Sequence, residues 1–81
     1  MKIILTSTSK RDLDSLPEEV KKRIITGLEK INLPVSDIKK IKGKSGFKRL
    51  RVGDYRVLFK QEENKAYIVN VKHRKEVYRE I

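Results

Sequence analysis

Apolar residues change their spacing along this chain, and the changes predict its elements. At 2–6 a short run, Ile3-Ile4-Leu5, predicts a strand. A capping pattern follows: Ser9 with Asp12 three residues on predicts the opening of a short helix through Leu13 and Leu16. Pro17-Glu18-Glu19 marks a second helix start. Proline suits a first helical turn, and acidic side chains there complement the positive end of the helix dipole. Val20, Ile24, Leu28 and Ile31 then recur at helical spacing, so one stripe of this helix is buried. Lys21, Lys22, Arg23, Glu29 and Lys30 face away from it. Residues 32–36, with Pro34, end the helix.

The second half changes period. Residues 37–46 read as a basic connector, turn-prone at Gly43 and Gly46, with Ile38 and Ile41 as anchors. Gly43-Lys44-Ser45 matches the end of a phosphate-binding loop, but Ile38 stands where that motif needs its first glycine, and a strand pattern follows instead of a helix. The motif is therefore rejected. Two alternating runs, 47–52 and 55–61, flank Gly53-Asp54, a good two-residue hairpin turn. Residues 61–64 predict the next turn, 66–73 another strand, and 75–80 a short helix or an extended tail. The expected fold is α+β: a small antiparallel sheet with an N-terminal two-helix hairpin packed on one face, as a single domain over residues 1–81.

The turn at Gly53-Asp54 sets a register. It pairs Val52 with Tyr55, Arg51 with Arg56, Leu50 with Val57 and Arg49 with Leu58. Side chains alternate between faces, so Leu50, Val52, Tyr55, Val57 and Phe59 form a core face. Phe47, Arg49, Arg51, Arg56, Leu58 and Lys60 fall on the other. In the last strand Tyr67, Val69 and Val71 are expected on the core face, and Ile68, Asn70, Lys72 and Arg74 on the basic one.

Composition narrows the class. A chain of 81 residues has room for one core, and it contains no cysteine and one histidine. Disulfides and thiolate metal sites are thereby excluded, and no metal site is expected. No apolar run approaches the roughly 20 residues of a membrane span, and the N-terminal run is too short for a signal peptide. A cytoplasmic location is expected, with no membrane partner. The net charge is +10, and it is uneven. Residues 1–38 carry seven basic and six acidic side chains, whereas 39–81 carry fourteen and five. Such segregation points to a polyanionic partner.

The pairing of Arg51 with Arg56 sharpens that expectation. Like charges directly opposite on neighbouring strands are destabilising, and no acid on these two strands relieves them. Guanidinium forks bind phosphate through two parallel hydrogen bonds. The predicted basic face is therefore suited to a phosphodiester backbone. His73, the sole histidine, falls on the core side, as does Lys48. The basic loop residues Lys42 and Lys44 are candidates for further backbone contacts.

Three blocks of the chain carry a resemblance. They are Lys39-Lys40-Ile41-Lys42-Gly43, the run Phe47-Lys48-Arg49-Leu50-Arg51-Val52-Gly53-Asp54-Tyr55-Arg56-Val57-Leu58-Phe59, and His73-Arg74-Lys75-Glu76-Val77-Tyr78. Together with Asp12-Leu13 and Leu16-Pro17 they resemble the RelE/ParE toxin superfamily across essentially the whole chain. RelE-like members are toxins of toxin–antitoxin pairs that cleave mRNA in the ribosomal A site; ParE-like members share the fold and poison DNA gyrase without nuclease action. The resemblance implies a cognate antitoxin, the ribosome and mRNA as partners, and chemistry that uses no metal or small-molecule cofactor. It also implies roles. Arg49 and Arg56 match positions that stabilise the scissile phosphate, and Arg51 a further basic position. Arg74 matches an arginine that assists the leaving oxygen, and Tyr78 a tyrosine that stacks on an mRNA base. Lys42, Lys44, Lys48 and His73 are carried as substrate-binding candidates. RelE-type nucleases can hold a lysine where Arg49 stands. An arginine stays charged and cannot act as a base, so the general base is left open, as are two alternatives: a ParE-like gyrase inhibitor without catalysis and an inactive RNA-binding member of the same fold.

Overall fold

The computed structural model describes residues 2–33 and 37–75. Strand β1 (Lys2–Leu5) leads into helix α1 (Ser7–Asp14) and helix α2 (Glu18–Glu29). Four strands follow: β2 (Asp37–Lys40), β3 (Phe47–Val52), β4 (Tyr55–Glu62) and β5 (Lys65–His73). They form one sheet in the order β1-β5-β4-β3-β2. The architecture is α+β, as expected. The pairings β2–β3, β3–β4 and β4–β5 are antiparallel, while β1 runs parallel to β5, so the sheet is mixed at one edge.

The expected helix cap moves upstream. Thr6, not Ser9, caps α1: its hydroxyl accepts from the Ser9 backbone N–H at 3.2 Å. Ser9 is buried and donates its own hydroxyl to the Thr6 carbonyl at 2.9 Å. Thr6 also donates to the Ile68 carbonyl at 2.7 Å, which ties the helix start to β5. A side chain that satisfies an orphan N–H and the sheet together outcompetes a local cap inside the helix. Helix α2 begins after Pro17 and buries Ile24, Leu28 and, just past its end, Ile31. Lys21 donates to Asp14 Oδ1 at 3.0 Å and joins the two helices. That hydrogen bond, with the attraction of the Asp14 charge, raises the Lys21 pKa above the ordinary lysine value.

The core lies between the helices and one face of the sheet. Leu13, Ile24, Leu28 and Ile31 meet Leu50, Val57, Phe59, Ala66, Ile68 and Val71. Gly27 permits the close approach of α2 to β3, because a Cβ there would lie 2.9 Å from Val52 Cγ2. The β3–β4 turn has Gly53 at φ +60°, which a Cβ-bearing residue rarely adopts. Its register is the expected one, from Val52 opposite Tyr55 to Phe47 opposite Lys60.

Two further expectations are corrected. Residues 37–40 are a paired edge strand rather than part of a connector, with Asp37 opposite Arg51 and Lys39 opposite Arg49. A strand with one inward apolar residue, Ile38, carries little periodic signal, and its pairing with β3 supplies what the sequence does not show. In β5 a bulge intervenes: Leu58 pairs with Asn70 but Phe59 pairs with Ile68, leaving Val69 extra. An extra residue exchanges the faces on either side of it. Ala66 and Ile68 therefore join Val71 in the core, while Tyr67 pairs with Lys60 on the opposite face. Among the described residues, no helix is long and apolar enough to cross a membrane.

Candidate nucleic-acid interface

The helices leave one face of the sheet open, and the register arranges its side chains in rows. Asp37, Arg51, Arg56 and Lys72 lie side by side across β2, β3, β4 and β5. Lys39, Arg49, Leu58 and Asn70 form the next row. Phe47, Lys60 and Tyr67 form a third, in which the Lys60 ammonium lies 5.6 Å from the Phe47 ring centre. The first two rows thus set five cations against one carboxylate.

Within these rows, Asp37, Lys39, Arg49, Arg51 and Arg56 surround a cleft of about 150 Å³. Arg56 is only 9% exposed. Its Nη1 donates to the carbonyls of Gly53 and Tyr55 at 3.4 and 3.3 Å. Arg51 Nε donates to the same Gly53 carbonyl at 3.4 Å. The shared carbonyl dipole offsets part of the repulsion between the two arginines, but these bonds are long. Among the described residues no carboxylate forms an ion pair with either arginine. Withdrawing a guanidinium from water without a counter-charge costs stability. An anion entering the cleft would supply that charge, and its oxygens would match the guanidinium fork.

The candidate residues divide by place. Arg49, Arg51 and Arg56 come together at the cleft. Arg74 is exposed at the end of β5, and its backbone N–H donates to the Asp54 carbonyl at 2.8 Å, which places it beside the β3–β4 turn. Lys44 lines a separate hollow of about 740 Å³ around the β2–β3 loop, and Lys42 is exposed on that loop. Lys48 pairs opposite Lys40 and Phe59 on the helix side of the sheet, where its ammonium donates to Gln61 Oε1 at 2.6 Å. His73 lies opposite Tyr55 on that same side, with the rings edge-to-face at 5.3 Å. Its Nδ1 accepts from the Lys75 backbone N–H at 3.3 Å. Tyr78 lies outside the described residues.

Asp37 and Lys39 are members of the cleft that sequence reasoning missed, because it took their strand for a loop. The sequence pattern puts Lys72 on the basic face, but its position directly beside Arg56 depends on the bulge. Asp12 of α1 reaches this region as well. It accepts from the Val71 backbone N–H at 3.0 Å and lies 3.9 Å from the Lys72 ammonium. No group of three or more metal-ligating side chains occurs among the described residues.

Comparison with known proteins agrees with this geometry. The family model described as the ParE toxin of type II toxin–antitoxin systems matches residues 3–78. The chain is 34% identical over 84 residues to Toxin RelE3 of Methanocaldococcus jannaschii, covering 96% of each. It is similar to the toxin in a RelB–RelE antitoxin–toxin complex from Methanococcus jannaschii, with a TM-score of 0.82 and 30% identity over 96% of this chain and 98% of that one. The fold is shared by an archaeal RelE–RelB complex from Pyrococcus horikoshii, with a TM-score of 0.72 and 22% identity over 90% and 93% of the two chains. A helical hairpin on a five-stranded sheet, an arginine cleft on the open face and these matches along nearly the whole length agree: the chain is a type II toxin of the RelE/ParE superfamily.

Proposed function

We propose that this toxin is a ribosome-dependent endoribonuclease that cuts mRNA in the ribosomal A site and so stops translation. The observation that carries the reading is Arg56, nearly buried at a cleft with Arg49 and Arg51 and without a carboxylate partner among the described residues. A gyrase-binding surface would need contact area; it would not need a guanidinium withdrawn from water and left for an anion.

The chemistry follows from charge. The ribose 2′ oxygen attacks the adjacent phosphorus, the bond to the 5′ oxygen breaks, and negative charge gathers on oxygen in the transition state. Fixed cations aimed there lower the barrier because they need not reorient. In this reading Arg49 and Arg56 hold the scissile phosphate and Arg51 adds to the field. Lys72 extends the cationic row, Arg74 stabilises the departing 5′ oxygen, and Tyr78 holds an unstacked base. The step uses no metal or small-molecule cofactor.

The partners in this reading are the ribosome, mRNA and a cognate antitoxin, all in the cytoplasm. Similar toxins are described in complex with RelB antitoxins. An acidic antitoxin segment covering the rows of cations would silence the toxin, with an affinity that falls as salt rises.

The test is mRNA cleavage on programmed ribosomes by wild type and Arg56→Ala. Cuts within the A-site codon that require ribosomes, and that fall by about 100-fold or more in Arg56→Ala, are expected. Absence of cuts by a protein that still arrests growth would overturn the reading. It would favour the ParE-like one, a gyrase inhibitor without catalysis, to which the matched family model points. Inhibition of supercoiling by purified gyrase would then be observed instead.

A further inference from the structure

We propose that Asp37 is the general base of this reaction, taking the proton from the attacking ribose hydroxyl; the inference rests on the nuclease reading above. Its geometric basis is the edge strand β2. The register sets Asp37 directly opposite Arg51, at one end of the row that continues through Arg56 to Lys72. Asp37 lines the same cleft as Arg49, Arg51, Arg56 and Lys39, and it is the sole carboxylate among the residues that do.

A base is needed there, and the neighbours are poor ones. The hydroxyl must lose a proton as the 2′ oxygen bonds to phosphorus. Guanidinium groups have no acceptor site to offer, and a lysine must first shed a proton of its own. A carboxylate is an acceptor in its ordinary ionised state, with two oxygens available. The remaining histidine is on the wrong side of the sheet, paired edge-to-face with Tyr55.

A structural role would show as a side-chain contact, and none is made among the described residues. Among the described residues, no hydrogen bond or ion pair engages the Asp37 carboxylate, although Arg51 lies across from it. The side chain is exposed at the lip of the cleft, where a ribose flanking a phosphate held by Arg49 and Arg56 would lie. An unengaged carboxylate in a pocket built for a polyanion weakens ground-state binding. A task in the chemical step accounts for a carboxylate at this position.

The step balances without a co-reactant. The 2′ oxygen–phosphorus bond forms as the Asp37 carboxylate takes the hydroxyl proton. The phosphorus–5′ oxygen bond breaks, leaving a cyclic 2′,3′-phosphate on one fragment. The departing 5′ oxygen, its charge held beside Arg74, takes a proton from water, and Asp37 returns its own to solvent.

The experiment compares wild type, Asp37→Asn and Lys39→Gln in single-turnover cleavage on programmed ribosomes. Beside it runs binding to an mRNA whose A-site riboses carry 2′-methoxy groups and cannot react. Asp37→Asn is expected to bind this uncleavable mRNA as tightly as wild type or more so, since a like charge is gone. Its cleavage rate is expected to fall by about 100- to 10,000-fold, the range of general-base catalysis. Tighter binding with slower cleavage is a combination that a structural or purely electrostatic role does not produce. Cleavage by Asp37→Asn at or above the wild-type rate would overturn the proposal. So would loss of cleavage and binding together in an Asp37→Asn that melts like wild type, which makes the carboxylate a binding group, and so would a rate loss confined to Lys39→Gln, which moves the base to Lys39. Absence of cleavage by wild type would instead overturn the nuclease reading itself.

Discussion

At the scale of single residues, Arg56 carries a cost in stability, which the proposed function sets against phosphate binding. It is 9% exposed, it faces Arg51 and Lys72 on the neighbouring strands, and its hydrogen bonds are to carbonyls. Arg56→Met keeps the volume and removes a charge that no carboxylate pairs among the described residues. It is expected to raise stability by about 1 kcal/mol or more in urea denaturation and, in the nuclease reading, to abolish cleavage. A fall in stability would mean that the carbonyl contacts outweigh the repulsion. Much of this was legible in the sequence, because a Gly-Asp turn between two alternating runs sets which arginine faces which. That Arg56 is nearly buried was not legible, since burial depends on how the turn and the flanking strands close around the side chain.

Two elements rest on contacts that join helix to sheet. The cap at Thr6 serves α1 through Ser9 and β5 through Ile68. Thr6→Ala is expected to cost about 1–2 kcal/mol, at the upper end for a cap because a sheet contact is lost with it. Thr6→Ser keeps both hydrogen bonds and should recover most of that loss in thermal melts. The face of α2 is limited instead by space. Alanine is the better helix former at Gly27, but its Cβ would meet Val52 Cγ2 at 2.9 Å, and a β-branched side chain has little freedom to withdraw. Gly27→Ala is therefore expected to lose about 1–2 kcal/mol in urea denaturation, against the gain that helix propensity alone would give. The helices themselves were legible from apolar spacing. The cap was displaced because Ser9 fits the local motif, and the competing interaction with β5 is 62 residues away in sequence.

The whole molecule divides its labour between two faces of one sheet. Helices, with their nearly balanced charge, close the core on one side, and the charge-rich strands leave cations in rows on the other. In the nuclease reading, binding to single-stranded RNA should therefore be strongly salt-dependent. Each phosphate neutralised contributes a slope of about −0.7 in log affinity against log salt. Replacing Arg49, Arg51 and Arg56 together with glutamine is expected to flatten that slope by about 2 in fluorescence titrations. An unchanged slope would place the polyanion elsewhere, for instance on the β2–β3 loop with Lys42 and Lys44. The two edges of the sheet also differ in character. Edge strand β2 is guarded by Asp37, Lys39 and Lys40, whereas β1 at the other edge is apolar over Ile3, Ile4 and Leu5.

By itself the sequence determined the α+β class, both helices, the β3–β4 hairpin with its register, and the gathering of Arg49, Arg51 and Arg56 on one face. These are local properties: apolar period, turn chemistry and alternation act over a few residues and need no distant partner. Tertiary structure alone decided the parallel docking of β1 on β5, the recruitment of Asp37 and Lys39 into an edge strand, and the bulge at Val69 that sets Lys72 beside Arg56. Each of these is a choice between pairings of similar local merit. What settles such a choice is the burial of Ala66, Ile68 and Val71 against the helices, an energy that exists only once the distant parts of the chain have met.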